Sequence, residues 1–310
     1  MHSKNYTYFL KRAVIFLAFL LTADFIIGKS LEYYYFKQYN GILYRTTYSI
    51  NKTKADLLIF GSSRANHHYN PQVFEKNLHV SSYNTGRNGT GIVYYYAILR
   101  SVLKRYTPKY IILDIRPDEF LKSSNGYDRL SMLLPYYNSH PELDSLILLR
   151  SKFERLKLLS QIYPYNSLLL AIILGNTELY KNRETEIKGY LPFFGEMNPN
   201  EPLKIITENN NETIDNDDVN VFREFLYNCI SAHVKLYVYV SPVYYPSTVK
   251  EPSIAIAKQI TQKYNVSFFD HSKDTTFNRK NRFFFDSFHL NHTGADLFSN
   301  IVSKEIKRSN

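Results

Sequence analysis

Short apolar runs alternate with amphipathic stretches along much of this chain, and this alternation limits its fold more than any other feature. The apolar runs predict strands over residues 56–60, 79–83, 109–115, 234–240 and 267–269. The amphipathic stretches predict helices over residues 71–77, 91–105, 217–232, 253–264 and 295–307. Strands that alternate with helices pair in parallel through right-handed crossovers, so we expect a doubly wound α/β sheet.

Composition narrows the possible partners. The 310 residues carry a formal charge of +10 and 16% aromatic residues, a balance that could suggest nucleic acid. However, no five basic residues occur in a row and no nucleic-acid motif is visible, so we predict no nucleic-acid partner. A basic surface also suits anionic lipid or acidic polysaccharide. Cys229 is the only cysteine, which excludes an intrachain disulfide and a cysteine-based zinc cluster.

The amino-terminal residues 1–30 are predicted to be a membrane anchor. An apolar run over 13–28, interrupted by Thr22 and Asp24, follows the basic residues Lys11 and Arg12. The basic flank predicts a single pass through the cell membrane, with the rest of the chain on the extracytoplasmic side. A cleaved signal peptide and a buried amphipathic helix are the alternatives, although no good cleavage site is visible.

Three further segments follow from the same pattern. Residues 31–54 are rich in tyrosine and are predicted to be a stalk, and residues 55–310 are predicted to form the α/β domain. Within that domain the alternation lapses over about 121–215. We interpret this stretch as a helical insertion that covers the carboxyl edge of the sheet and shapes a substrate groove, with a packing subdomain as the alternative.

Candidate catalytic residues lie at the two ends of the α/β domain. Ser63 follows the first predicted strand and a Gly61-Ser62 turn, at the point where a helix can begin. Far downstream, Asp286 and His289 stand three residues apart. A serine becomes nucleophilic when an imidazole accepts its proton and a carboxylate orients that imidazole. Ser63 could instead cap a helix, and His292 could be the base.

An acyl-transfer site also needs donors for the developing oxyanion. The Ser63 amide is one candidate, and the glycine-containing turn over 84–91 is another.

These residues resemble the blocks of the SGNH (GDSL-type) hydrolase superfamily. Gly61-Ser62-Ser63 resembles the first block, with Ser62 in place of the usual aspartate; Asn84-x-Gly86-x-x-Gly89 resembles the second; Asp286-Ser-Phe-His289 resembles the last. The asparagine of the third block falls on Asp118, a carboxylate that cannot donate to an oxyanion. Asn88, Asn66 or two backbone amides could take its place.

The resemblance implies a flavodoxin-like three-layer α/β/α sandwich that uses no cofactor and no metal. It implies Ser63, His289 and Asp286 as catalytic residues, with the oxyanion hole among Ser63, Gly89, Asn88 and Asp118. We predict that Arg64, His67 and His68 contact the substrate. A metal site built from His67, His68 and His289 is conceivable but lacks the usual ligand spacing.

The predicted function is that of a membrane-anchored serine esterase or O-acyltransferase. Its substrate would be an acylated glycan, an acetyl ester of a cell-surface polysaccharide, or a small ester. The sequence does not separate water from a sugar hydroxyl as the acceptor. The alternative is a non-catalytic glycan-binding or assembly protein that has this fold.

Overall fold

A parallel sheet of five strands carries the predicted α/β domain. The computed structural model describes residues 2–123, 127–177, 186–198, 213–245 and 251–309, and side chains from residue 6 onward. The strands are β1 (Leu57–Phe60), β2 (Ser82–Asn84), β3 (Tyr110–Asp114), β4 (Lys235–Val240) and β5 (Ser267–Asp270). Their order in the sheet is β2-β1-β3-β4-β5, with all neighbours parallel. The predicted doubly wound α/β class is therefore confirmed.

Helices connect these strands and also form the amino-terminal part of the chain. The α-helices are α1 (His2–Lys37), α2 (Gly41–Asn51), α3 (Ser63–His68), α4 (Pro71–Leu78), α5 (Ile92–Arg105), α6 (Asp144–Ile147), α7 (Glu154–Lys157), α8 (Leu169–Gly175), α9 (Asn216–Ser231), α10 (Pro252–Lys263) and α11 (His292–Arg308). Short 3-10 helices span Asp128–Tyr136, Pro141–Leu143, Leu148–Arg150, Tyr163–Tyr165 and Asn281–Phe283.

One strand begins later than predicted. The sequence predicts a strand from residue 79, but β2 begins at Ser82. The reason is local: α4 continues to Leu78, and His79 ends it in the left-handed conformation with φ 56°. A residue in that conformation closes a helix and cannot belong to a strand.

The register of the sheet determines where its connecting turns lie. Phe60 at the end of β1 pairs with Leu113 of β3, and Asp114 pairs with Tyr239 of β4. The three central strands β1, β3 and β4 are buried over most of their length, as expected for a parallel sheet covered on both faces. Because the strands are parallel and in register, the turns after β1, β3 and β4 leave from one edge of the sheet.

The chain divides into two compact units. The helical unit comprises Met1–Tyr44 and Ser131–Arg183, and the α/β unit comprises Arg45–Leu130 and Glu184–Asn310. Residues 31–54, predicted to be a stalk, are largely helical, since α1 extends to Lys37 and α2 follows from Gly41. Part of the predicted insertion thus belongs with the amino-terminal helix.

Within the helical unit, α1 is long and apolar enough to cross a membrane over Tyr6–Lys37. A membrane span and a signal sequence both have these properties. Asp24 accepts hydrogen bonds from Ser160 Oγ at 2.6 Å and from the Gln161 N–H at 2.7 Å. Gly28 packs directly on Gln161, where a Cβ would stand 2.3 Å from the Gln161 Cβ. The insertion therefore packs against α1 through specific polar and close contacts.

Candidate active site

Ser63 lies at the sharp turn that follows β1. It is the first residue of α3, and Gly61 two residues earlier has φ +146°. A Cβ at Gly61 would stand 2.7 Å from the Ala65 Cβ and 2.8 Å from the Asp114 carbonyl oxygen. Only glycine fits this conformation and this space. The turn places the Ser63 hydroxyl at the carboxyl edge of the sheet.

His289 and Asp286 meet Ser63 across more than 200 residues of sequence. The His289 Nε2 lies 2.8 Å from the Ser63 Oγ, and its Nδ1 lies 2.9 Å from Asp286 Oδ2. The backbone N–H groups of Phe288 and His289 also donate to Asp286 Oδ1, at 2.8 and 2.9 Å. The spacing of three residues therefore lets one carboxylate orient both the imidazole and its loop.

The charge state of Asp286 follows from these contacts. Its partial burial raises the pKa of the carboxyl, but the hydrogen bonds from the His289 ring and from the two backbone N–H groups outweigh burial. The net result is a pKa of Asp286 below its ordinary value, so the group is ionised at neutral pH. An ionised Asp286 favours the tautomer of His289 with the proton on Nδ1, which leaves Nε2 free to accept the Ser63 proton.

His68 holds the His289 loop from behind. Its Nε2 accepts the Leu290 N–H at 3.1 Å, and its Nδ1 lies 2.9 Å from Ser241 Oγ. Because Nε2 accepts, the ring is neutral with its proton on Nδ1. Complete burial lowers the pKa of His68 well below its ordinary value and reinforces that state. The prediction that His68 contacts substrate is therefore wrong: the side chain is fully buried and positions the loop.

Arg64 is also internal. Its side chain is buried, its Nε donates to Ser241 Oγ at 3.0 Å, and its Nη2 donates to the Ser241 carbonyl oxygen. Burial raises the pKa of Asp114, the last residue of β3, and the positive charge of Arg64 opposes that rise. We correct the prediction that Arg64 holds an anionic substrate, because the side chain is buried and its Nε and Nη2 are bonded to the turn after β4.

His67 lies beside the His289 imidazole. Its ring stacks on Phe193 with centroids 3.9 Å apart and meets the His289 ring edge-to-face at 5.5 Å. Its Nδ1 lies 2.6 Å from the Leu191 carbonyl oxygen and donates to it, so Nε2 carries no proton. Burial lowers the pKa of His67 to about 4. Its Nε2 has no hydrogen bond to a described residue, so the predicted role in substrate binding stays a prediction.

The low pKa of His67 predicts acid sensitivity. The unfolded chain would bind the His67 proton near pH 6.5 and the folded chain only near pH 4. Stability from this group is complete above about pH 6.5 and is lost as the pH falls toward 4, with a loss on the order of 2 kcal/mol at pH 5. His67→Asn retains an N–H for the Leu191 carbonyl but does not titrate. We expect this variant to lose less unfolding free energy between pH 7 and pH 5, measured by urea denaturation of the detergent-solubilised chain.

A control for this experiment is His79→Asn. His79 is exposed and has the left-handed conformation that asparagine tolerates, so the wild-type pH dependence should remain. A His67→Asn protein that loses as much stability as wild type over this pH range would contradict the prediction.

The predicted oxyanion donors are of two kinds, backbone N–H groups and side chains. The backbone N–H groups of Ser63 and Gly89 have no backbone acceptor among the described residues, and Gly89 is exposed with φ +73°. The turn that carries Gly89 is bonded to the turn that carries Ser63, since the Arg87 N–H donates to the Gly61 carbonyl oxygen at 3.1 Å. The two amides thus belong to bonded neighbouring turns.

The side chains considered as a third oxyanion donor fit that role less well than the two backbone N–H groups. Asp118 is exposed and lies 3.6 Å from Arg116 in an ion pair, so we remove it from the oxyanion hole. The Asn66 side-chain amide donates to the Gly189 carbonyl oxygen at 2.7 Å and is thereby engaged. Asn88 is exposed beside Gly89, and its role stays a prediction.

His292, the alternative base, points elsewhere. Its Nδ1 lies 3.3 Å from the Tyr190 hydroxyl and its Nε2 lies 3.7 Å from Asp296. As the first residue of α11, it follows the helix cap Asn291, whose side chain accepts the Gly294 N–H. Among the described residues, the histidine bonded to the Ser63 hydroxyl is His289.

Sequence reasoning missed several residues that surround this site. Ser241 joins Arg64 to His68, and its position directly after β4 could have indicated a place at the same edge. The Leu191 carbonyl and the Phe193 ring come from the aromatic segment over 189–195, which the sequence predicted only as part of a groove. Phe285 stacks on Phe193 with centroids 4.4 Å apart and is 41% exposed. An isolated aromatic residue gives no sequence signal for such a contact.

The blocks predicted at the two ends of the domain therefore converge. The Ser63 turn, the turn bonded to it and the Asp286-x-x-His289 loop meet at the carboxyl edge of a β2-β1-β3-β4-β5 parallel sheet. The fold is a doubly wound parallel α/β sheet. Helices connect the strands of this sheet, in agreement with the predicted α/β/α class.

Similarities to solved structures are distant. A Bacteroides fragilis protein provisionally described as an acylhydrolase has a TM-score of 0.40 and 11% identity, covering 82% of this chain and 86% of its own. An acetyl xylan esterase has a TM-score of 0.39 and 10% identity, covering 82% and 98%. A Streptococcus pneumonia protein provisionally described as a platelet activating factor has a TM-score of 0.39 and 12% identity, covering 95% and 98%. No protein-family model and no curated protein matches the sequence.

Proposed function

We propose that this chain is an SGNH-type serine hydrolase that acts on acyl esters. The observation that carries the proposal is the continuous hydrogen-bonded path from the Ser63 hydroxyl through His289 to the Asp286 carboxylate. Such a path activates a hydroxyl that is otherwise a weak nucleophile. The catalytic roles assigned to these three residues are part of this proposal.

The proposed reaction has two steps. Ser63 Oγ attacks the ester carbonyl while His289 Nε2 accepts its proton, and the imidazolium then gives that proton to the leaving alcohol. The N–H groups of Ser63 and Gly89 stabilise the tetrahedral oxyanion. Water then attacks the acyl-serine carbonyl while His289 Nε2 accepts a water proton. The bond between the acyl carbon and Ser63 Oγ breaks, the proton passes to Oγ and the carboxylic acid leaves, which completes an esterase reaction. A sugar hydroxyl in place of water would make the same chain an O-acyltransferase.

We propose an acylated surface glycan, with acetyl as the acyl group, as the substrate. Phe193 contacts the His289 ring with centroids 5.7 Å apart, and Phe285 extends this surface to solvent. The exposed part of Phe285, which stacks on Phe193 beside the base, provides apolar contact area for the alcohol part of the ester. A sugar ring, with its flat array of C–H groups, suits such a surface.

We further propose that α1 remains on the protein as a single-pass membrane anchor, with the α/β unit on the extracytoplasmic side. Cleavage in the manner of a signal peptide would remove Asp24 and Gly28, whose contacts with residues 160–162 belong to the packing of the helical unit. The basic residues Lys11 and Arg12 give the orientation.

A fluorophosphonate tests the catalytic proposal directly. The reagent should form an adduct on Ser63 of the detergent-solubilised full chain, located by peptide mass spectrometry, and not on the heat-denatured chain. Ser62 provides an internal control because it forms no hydrogen bond with His289.

The same labelling experiment addresses the alternative function. The ion-paired carboxylate of Asp118, where an asparagine donor is expected, is the observation that favours a non-catalytic glycan-binding protein. Absence of the Ser63 adduct, together with measurable binding of an acetylated polysaccharide, would favour that alternative over the hydrolase.

A further inference from the structure

The helical unit exposes an unusual number of large apolar side chains outside α1. They are between 42% and 73% exposed, and we call them the apolar set: Leu149, Phe153, Leu156, Leu159, Leu169, Leu170 and Ile173. They lie on short helices and in the turns next to them, between residues 148 and 175. Apolar side chains so exposed and so close in sequence are typical of an interaction surface rather than of ordinary solvent-facing helices.

Contacts with α1 show which part of that helix lies beside the apolar set. Asp24 accepts hydrogen bonds from residues 160–162, which directly follow Leu159. Farther along α1, the Tyr35 ring packs against Tyr165 at 5.7 Å, and the Asn176 side chain donates to the Tyr34 carbonyl oxygen at 2.8 Å. The segment therefore lies beside the carboxyl-terminal part of α1, from Asp24 onward.

That part of α1 is where an anchor would leave the membrane. The 36 residues of α1 span about 54 Å, well beyond the roughly 30 Å of a bilayer's hydrocarbon core. The apolar run ends at Gly28, and Lys29 pairs with Glu32 in the next turn at 2.6 Å. Leu159, adjacent to the Asp24 contacts, thus stands near the predicted boundary between acyl chains and headgroups.

The exposed charged residues in this segment are basic. Glu154, the acidic residue between 148 and 159, is buried and ion-paired with Arg150 and Lys157. Lys152 and Arg155 are exposed next to members of the apolar set. Exposed apolar residues interspersed with cations are characteristic of helices that lie in a membrane interface and attract anionic lipid.

We propose that residues 148–173 lie in the extracytoplasmic interface of the bilayer, with the apolar set among the acyl chains and Lys152 and Arg155 at anionic phospholipid headgroups. This proposal rests on the proposed retention of α1 as a membrane anchor. The occupant of the surface is lipid because the segment is bonded to Asp24. The next residues of α1, Phe25 to Ile27, are exposed and apolar. The chain would then contact the membrane in two places: α1 would cross the bilayer, and residues 148–173 would lie in its interface.

The absence of tryptophan from the sequence allows a clean test. Leu156→Trp and Leu170→Trp each place one fluorophore at an exposed position of the full chain, and Phe19→Trp places one in α1. Each variant is reconstituted into phosphatidylcholine and phosphatidylglycerol vesicles with and without brominated acyl chains. Because interfacial helices reach about 5–10 Å into the boundary region, we expect bromine to lower the tryptophan emission from positions 156 and 170 about twofold.

The outcomes distinguish the proposed interfacial contact of residues 148–173 from the proposed membrane anchor α1. Quenching at positions 19, 156 and 170 supports both. Quenching at position 19 alone overturns the interfacial contact and leaves the anchor in place. Absence of quenching at all three positions overturns the anchor itself. Blue-shifted but unquenched emission at 156 or 170 would mean that protein, such as a second copy of this chain, covers the surface, and it would also overturn the lipid assignment.

A charge-reversed variant checks the role of the cations. Lys152→Glu with Arg155→Glu, introduced into the Leu156→Trp chain, should reduce quenching at position 156 at low salt. The same change in the Phe19→Trp chain should leave quenching at position 19 unaltered, since the span does not depend on headgroup charge. Equal quenching at position 156 with either pair of charges would contradict the assignment of these residues to anionic headgroups.

Discussion

Replacing Ser63 with alanine is expected to lower kcat/KM for a chromogenic acetyl ester by at least about 10⁴-fold. The variant lacks the oxygen that the proposed mechanism acylates, while His289 and Asp286 keep their mutual hydrogen bond. Little change in stability is expected, because the Ser63 hydroxyl bonds to the imidazole and not to the backbone that shapes the turn. Initial rates of ester hydrolysis by the detergent-solubilised chain, with a thermal denaturation curve for each protein, provide the measurement.

Ser62→Ala is the matched control for Ser63→Ala. It removes a hydroxyl one residue away that does not reach His289, so activity should stay close to wild type. Wild-type rates in the Ser63→Ala protein would refute the nucleophile assignment. Equal loss in both variants would indicate damage to the turn instead of loss of chemistry.

The second large effect is expected for Asp286→Asn. The amide can no longer stabilise the imidazolium, and it can present an N–H to Nδ1 and so force the proton onto Nε2, which then cannot accept from Ser63. A fall in kcat of about 10³- to 10⁴-fold should follow. KM should change little, because Asp286 faces the histidine and its own loop.

The chain contains its own control for Asp286→Asn. His271 and Asp274 form another pair three residues apart, with Nδ1 3.2 Å from Oδ2, but their partner is Glu305 and not a serine. Asp274→Asn should therefore weaken a structural ion pair and leave kcat near the wild-type value. A comparable fall in kcat for both variants would show that an aspartate-histidine pair matters to this protein for stability alone.

The sequence predicted the sheet because its signals are local. Each strand is a short apolar run, and each following helix has its own periodicity, so strand and helix order could be derived without tertiary information. The position of Ser63 followed from the same logic, since turns at the carboxyl ends of parallel strands converge. The pairing of Ser63 with His289 followed from the Asp286-x-x-His289 spacing and from its resemblance to the last SGNH block.

The surroundings of the site could not be predicted in the same way. Whether Arg64 and His68 face substrate or the interior depends on Ser241, which is 177 residues from Arg64 in sequence. Polar side chains next to a nucleophile look the same in sequence whether they bind a ligand or secure a loop. The allocation of 131–183 to the same unit as α1 likewise depends on the contacts of Asp24, which in sequence reads only as a charge that interrupts an apolar run.

The bonds between Asp24 and residues 160–162 bear on how a soluble form of this protein should be prepared. Deleting the first 30 residues, the usual route for an anchored enzyme, would strip the acceptor from two backbone N–H groups and one hydroxyl, and would uncover the Gln161 backbone that Gly28 protects. A shortened chain that aggregates would then report the loss of a packing partner, not an intrinsically unstable enzyme. Polar substitutions on the outward face of α1, with Asp24 and Gly28 left intact, offer the better starting point.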